Sequence, residues 1–119
     1  MISCCKFLAS VGVMLAMVLS TNAGQIAIGD KPSKYEKIAA DELKYFLEQA
    51  SDEKYEIVSE KSASGKDIIH LGQTTFAREN GIEPDSLDKE EWILKSVGDK
   101  LIITGGRPIG TLYGVYRFL

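Results

Sequence analysis

The stretch "KLIITGGRPIGTLYGVYRFL", Lys100–Leu119, decides how this chain is read. Leu101–Ile103 has the apolar, β-branched content of a strand, while the apolar residues from Ile109 onward recur at helical spacing. Between them, "GGRPIGT" (Gly105–Thr111) places a glycine, four residues, a second glycine and a threonine. That outline matches a phosphate-cradling loop, which needs a lysine directly after the second glycine and then Ser or Thr for magnesium. Here Gly110 is followed by Thr111 and Leu112, so the lysine is missing. Pro108 also removes one of the backbone N–H groups through which such loops hold phosphate. The dinucleotide pattern G-x-G-x-x-G fails too, because Arg107 and Pro108 stand where its spacing needs glycine. The stretch excludes a nucleotide partner.

The same residues make sense as a strand-to-helix turn. Gly105 and Gly106 let the chain leave the strand sharply, in conformations that β-branched residues resist. Pro108 fits the first turn of a helix, where its missing N–H leaves no intrahelical bond unmade. Gly110 and Gly114, four apart, line one side of that helix and let its backbone lie close to a sheet. Ile109, Leu112, Tyr113, Tyr116 and Leu119 give it apolar faces.

Working back toward the N-terminus, "EWILKSV" (Glu91–Val97) and "KLIITGG" flank Gly98-Asp99, the pattern of an antiparallel hairpin. "TTFAREN" (Thr74–Asn80) reads as a short helix stopped by Gly81. "DIIHLG" (Asp67–Gly72), "YEIVSE" (Tyr55–Glu60) and "QIAIG" (Gln25–Gly29) read as strands. After the turn residues "GDKPS", Ser33 and Glu36 form a capping-box pair. Tyr35, Ile38, Ala39, Leu43, Phe46, Leu47 and Ala50 then line one face of an amphipathic helix. The order β-α-β-β-(short α)-β-β-α predicts an α/β (α+β) fold: a mixed sheet of about five strands with two main helices packed on it.

The chain has 119 residues, room for one small domain. Residues 1–23, "MISCCKFLASVGVMLAMVLSTNA", combine Lys6, an uncharged apolar run from Phe7 to Leu19, and small residues Thr21 and Ala23 at the −3 and −1 positions. That is the plan of a cleaved export signal, with an apolar run too short to span a bilayer. The expected mature domain is residues 24–119, periplasmic or extracellular. Both cysteines, Cys4 and Cys5, leave with the signal, so this domain must hold together without disulfides. Loss of Lys6 moves the net charge from −3 to about −4, a balance that argues against nucleic acid or anionic lipid as partner. The last apolar stripe runs to Leu119 with no C-cap glycine or polar tail, so the domain reads as truncated, the leading part of a longer protein.

Taken together, "YEKIAADELKYFLEQAS", "DIIHLGQT", "EWILKSVGDKLIITGG" and "RPIGTLYGVYRFL" resemble, in this order, the small α/β domain that precedes the catalytic barrel of secreted glycoside hydrolases. The likeness is to the N-terminal domains of α-glucuronidases, and more distantly to the domain before the β-N-acetylhexosaminidase barrel; it covers about residues 25–119. It implies a non-catalytic accessory domain of a polysaccharide-degrading enzyme, with a C-terminal catalytic barrel of the same polypeptide as partner. It implies no cofactor and no catalytic residue in this chain, since the family's catalytic carboxylates belong to the barrel. The other reading is a freestanding carbohydrate-binding or scaffold module.

Candidate chemistry within the chain is sparse. A glycosidase needs two carboxyl groups about 5–10 Å apart across a sugar, and the acidic groups "SDEKYE" and "DKEE" read as solvated surface. His70 is the only histidine, alternates with Ile69 and Leu71 along a strand, and reads as structural. With no further ligands clustered around it, no metal site is expected. Arg107 stands at the turn before a helix, placed to reach a carboxylate of a neighbouring domain or of a uronic acid, against the plainer reading of an intradomain salt bridge. Trp92 offers a sugar-stacking surface, against the plainer reading of a partly buried sheet residue on one face with Leu94 and Ser96.

Overall fold

The computed structural model describes residues 24–119; the export signal expected over residues 1–23 lies outside the described residues. In chain order the elements are β1 (Gly24–Ile28), α1 (Lys34–Ser51), β2 (Tyr55–Ser59), β3 (Ile68–Leu71), α2 (Thr75–Glu79), a 3-10 turn (Pro84–Ser86), β4 (Trp92–Val97), β5 (Lys100–Gly105) and α3 (Gly110–Phe118). The five strands form one mixed sheet in the order β2-β1-β3-β5-β4. β1 pairs in parallel with both β2 and β3, and β3 with β5. β4 and β5 form the expected antiparallel hairpin, in register from Trp92 opposite Gly105 to Val97 opposite Lys100.

Side-chain alternation divides the core between the two faces of the sheet. On one face Ile26, Ile69, Leu71 and Ile103 pack against Ala39, Ala40 and Leu43 of α1 and Leu112 and Val115 of α3. On the other a smaller cluster joins Ile102 to Ala77 of α2 and Ile82, with Phe76, Ile93 and Val97 around it. Each large aliphatic side chain fully buried here contributes roughly 2 kcal/mol. A domain of this size holds a net stability of only about 5–15 kcal/mol.

Local chemistry sets the ends of α1. The Ser33 hydroxyl accepts from the Glu36 N–H at 3.2 Å, and the Glu36 carboxylate accepts from the Ser33 N–H at 2.9 Å, which completes the capping box. At the other end Asp52 turns into the left-handed region and its N–H reaches the Glu48 carbonyl. The Glu48 carboxylate accepts from Lys44 and from the Tyr55 N–H, tying the helix to the start of β2. Both contacts hold that carboxyl below its ordinary pKa, the Lys44 bond most of all.

Three expectations need correction. Phe46 and Ala50 are exposed. Ala40 is buried beside the expected Ala39, so the buried stripe runs Glu36, Ala39, Ala40, Leu43 and the half-buried Leu47, and leaves Phe46 outside it. Pro108 does not open the last helix: α3 starts at Gly110, and Pro108 follows a cis peptide bond in the turn before it. Finally, Gly105 and Gly106 are not needed for unusual backbone angles, since neither has a positive φ. They are needed for closeness. A Cβ on Gly105 would run into the Gly110 and Thr111 backbone, and one on Gly106 into the Asp88 and Leu87 backbone.

Candidate functional site

Successive elements leave the sheet in opposite directions at one point. The carboxyl end of β1 leads into α1, which covers one face; that of the adjacent β3 leads into α2, which covers the other. Such a divergence opens a crevice beyond the strand ends, the usual place for ligands in open α/β sheets. A cavity of about 300 Å³ lies there. Asp30 and Lys31 come to it from the β1–α1 loop and Glu60 from the end of β2. Gln73, Thr75 and Arg78 come from the start of α2, and Arg107 from the β5–α3 turn. The loops are held close: a Cβ on Gly29 would come within 2.5 Å of the Gln73 carbonyl oxygen.

Arg107 is fixed from below. Its Nε donates to Glu36 Oε2 at 3.2 Å, and its Nη2 donates to Glu36 Oε1 at 3.1 Å and to the Lys31 carbonyl at 2.9 Å. Glu36 is 2% exposed, yet its carboxylate has the Ser33 N–H and this guanidinium as partners. Glu36 in turn raises the Arg107 pKa above its already high value. Gly72, at φ +85°, lets β3 pass against the Glu36 side chain, where a Cβ would sit 3.2 Å from Cδ. The Arg107 Nη1 has no protein partner among the described residues.

The remaining charges around the cavity are only partly paired. Asp30 meets Lys61 at 3.2 Å, and Glu60 accepts from the Thr75 N–H at 2.8 Å. Arg78 lies 3.9 Å from an exposed Asp85 and donates weakly to the Thr74 carbonyl. A larger hollow, about 770 Å³, borders Leu87–Glu91, but a single loop lines it. Within that loop Glu91 accepts from the Asp88 N–H.

A second surface is aromatic. Trp92 begins β4 with 37% of its surface exposed, on the face that carries α3; Gly114 packs beside it, its notional Cβ 3.3 Å from the Trp92 Cβ. On α3, Tyr113, Tyr116 and Phe118 are exposed. The Tyr116 hydroxyl donates to Glu42 Oε1 of α1 at 3.1 Å, and one turn further along α1 stand exposed Tyr45 and Phe46, edge to face at 5.0 Å.

His70 belongs to neither surface. It is 7% exposed and stacks on Phe76 at 4.1 Å, and neither ring nitrogen has a hydrogen-bond partner among the described residues. Burial, with Lys100 adding to it, lowers its pKa. Among the described residues no group of His, Cys, Asp and Glu is placed to hold a metal ion, and no helix is long and apolar enough to cross a membrane.

Of the two residues singled out in the sequence, Arg107 forms the intradomain salt bridge of its plainer reading and Trp92 lies partly exposed at the start of β4; the sequence did not point to the arginine's partner or its neighbours. Glu36 carried a signal only as a cap, and 71 residues separate it from Arg107. Lys31 and Arg78 carried none, because strand order alone brings them to one crevice. The fold and the ordered motifs agree with a wider comparison, in which residues 16–118 match the family described as Glycosyl hydrolase family 67 N-terminus. The chain belongs to that family. It is an N-terminal domain of the α-glucuronidase type, from a class of proteins whose name places it ahead of a glycoside hydrolase's remaining chain. No protein of curated description matches it.

Proposed function

We propose that this chain is the non-catalytic N-terminal accessory domain of an exported, polysaccharide-degrading α-glucuronidase-like hydrolase. Its task is to pack on the catalytic barrel of the same polypeptide and to shape one side of the substrate cleft. The observation that carries the docking is the exposed aromatic surface of Trp92, Tyr113, Tyr116 and Phe118, continued by Tyr45 and Phe46 of α1. Large aromatic side chains left in water mark interfaces, because covering them returns apolar area while their polar edges keep a partner. A non-catalytic role is supported by the carboxylates at the crevice: Asp30 already pairs with Lys61, and Glu60 accepts from the Thr75 N–H. The apolar run from Phe7 to Leu19 supports export.

Two experiments test this reading. The coding sequence past the codon for Leu119 is expected to continue into alternating strands and helices of a catalytic barrel; a stop codon there would contradict it. In the complete enzyme, charge at the aromatic face, as in a Tyr113→Asp/Tyr116→Asp variant, is expected to uncouple the domain. The melting curve then splits in two. A single unshifted transition would count against docking through this face.

A further inference from the structure

We propose that strand β4, the open edge of the sheet, pairs antiparallel with β4 of a second copy of this chain, so that the two sheets join edge to edge. The order β2-β1-β3-β5-β4 leaves two outer strands, and the chain treats them differently. On β2, the Gly24 N–H donates to the Lys54 carbonyl and the Glu60 N–H to the Ile28 carbonyl. In this register the main-chain groups of Tyr55, Ile57 and Ser59 point away from β1. Neighbours close that edge: the Tyr55 N–H donates to Glu48 Oε2 of α1 at 2.8 Å, and the Ser59 carbonyl accepts from the Ser62 N–H at 2.9 Å. On β4, the Gly106 N–H donates to the Glu91 carbonyl. Ile93, Lys95 and Val97 therefore bond to β5, while Trp92, Leu94 and Ser96 turn their N–H and C=O groups outward. None of these outward groups has a partner among the described residues. The usual guards of an edge are missing too. β4 has no proline, and its pairing with β5 runs without a bulge. Its one lysine, Lys95, donates to the Asn80 carbonyl at 2.8 Å, on the face that carries α2. A strand left in this state is a template for another.

Three observations name a second copy as the occupant. The first is fit. With Leu94 opposite the second copy's Leu94, Trp92 lies opposite Ser96 at both ends, so outward groups meet outward groups and a large ring lies beside a small side chain. The second is charge. Asp88–Glu91, just ahead of β4, hold three acids and one lysine, net −2, whereas Lys95–Lys100 hold two lysines and one aspartate, net +1. Antiparallel pairing lays the acidic start of one strand along the basic end of the other. The third is the helix above the edge. α3 rests over both strands of the hairpin, since a Cβ on Gly114 would lie 3.2 Å from Ile103 Cγ2 of β5 and 3.3 Å from the Trp92 Cβ of β4. With strands about 4.8 Å apart, a two-fold axis beside β4 sets the two α3 helices about 10 Å apart, a helix-packing distance. A strand from a different protein would bring no such helix. Trp92 and Phe118, both exposed, flank α3 on this side, Phe118 standing four residues after Gly114. Tyr116 turns the other way, to Glu42 of α1, so the face that continues to Tyr45 and Phe46 stays open to a barrel.

The test follows the full chain, without any catalytic domain, by sedimentation between about 1 and 100 μM, the range for a small contact of this kind. The average mass is expected to rise from one chain toward two. Over the same range the amides of Trp92, Leu94 and Ser96 are expected to exchange with solvent at least about tenfold more slowly. The Ile57 amide, which points outward from β2, keeps its rate. Ser96→Glu puts a carboxylate beside the acidic start of the other strand and is expected to weaken association at least about tenfold. Ser96 is exposed, so the melting temperature of the dilute chain should hold. Leu94→Pro removes an outward N–H and no bond to β5, and should act in the same direction; Ser96→Glu gives the readout even if that proline disturbs β4. Residues 1–23 are common to all three chains, so whatever they add to association cancels in the comparison. A single-chain mass throughout would overturn the proposal. So would association that leaves the three outward amides exchanging at their dilute rates, or association of both variants equal to that of the parent.

Discussion

At the scale of single residues, Glu36 has more at stake than any other charged group. It is a buried carboxylate that caps its own helix and holds a guanidinium from the far end of the chain. Removing its partner leaves a buried carboxylate without its cation, which costs more than the net value of the pair. Arg107→Ala is expected to cost about 2 kcal/mol, discounted from the fully buried case because the arginine side chain is 42% exposed. Adding Glu36→Gln to it should recover part of the loss. Denaturant unfolding of the two single variants and the double variant measures this; simple additivity would mean that the two side chains do not act together.

His70 makes a different residue-scale prediction. Its folded pKa lies below the ordinary imidazole value near 6.5, first because the ring is buried and then because of Lys100. The unfolded chain therefore takes up the proton before the folded one does. The stability due to the neutral ring is fully present above about pH 6.5 and drains away as pH falls from there through the folded value. His70→Leu should flatten the stability profile between pH 7 and 5. An unchanged slope would place the acid sensitivity elsewhere.

At the scale of elements, the β5–α3 turn sets how closely the last helix lies on the sheet. A Cβ on Gly114 would meet Ile103 Cγ2 at 3.2 Å and the Trp92 Cβ at 3.3 Å, side-chain atoms with some room to give. Gly114→Ala gains about 1 kcal/mol of helix propensity against an overpacking cost of about 1–3 kcal/mol, so a net loss near 1 kcal/mol is expected. Gly106→Ala has no such escape, since its Cβ would enter the Asp88 backbone. That substitution should cost about 3 kcal/mol or more. Comparable melting temperatures for the two would contradict this account of the turn.

The elements themselves could be read in the sequence because their signals are local. The capping box at Ser33, the two-residue link at Gly98-Asp99 and the glycines at 105, 106, 110 and 114 each act within a few residues. Errors arose where tertiary contacts decide. Phe46 has the spacing for the core, yet the face that meets the sheet runs through Ala39, Ala40 and Leu43 and leaves Phe46 exposed. Pro108 suits a first helical turn, yet it lies in the turn before the helix, where the Gly106 N–H donates to the Glu91 carbonyl and ties this turn to the residue before β4. The crevice was illegible for the same reason: Lys31, Arg78 and Arg107 become neighbours only once β1, β3 and β5 lie side by side.

At the scale of the molecule, the two faces of the sheet are unequal. α1 and α3 cover one with a contiguous core, while the other carries a short helix, a 3-10 turn and a cluster of three buried residues with their neighbours. Leu43→Ala, in the larger core, is expected to cost about 2–5 kcal/mol, a large share of the roughly 5–15 kcal/mol that holds such a domain folded. The outer surface of the same helix pair carries the exposed aromatics, so the best-packed layer is also the one offered to a partner.

The most direct measurement of the central claim is hydrogen exchange across Tyr113–Phe118, with the catalytic barrel joined to this domain and without it. Docking through the aromatic face predicts that these amides, and those near Tyr45 and Phe46, exchange at least about tenfold more slowly when the barrel is present. Equal rates in both states, with protection appearing elsewhere or nowhere, would contradict the account.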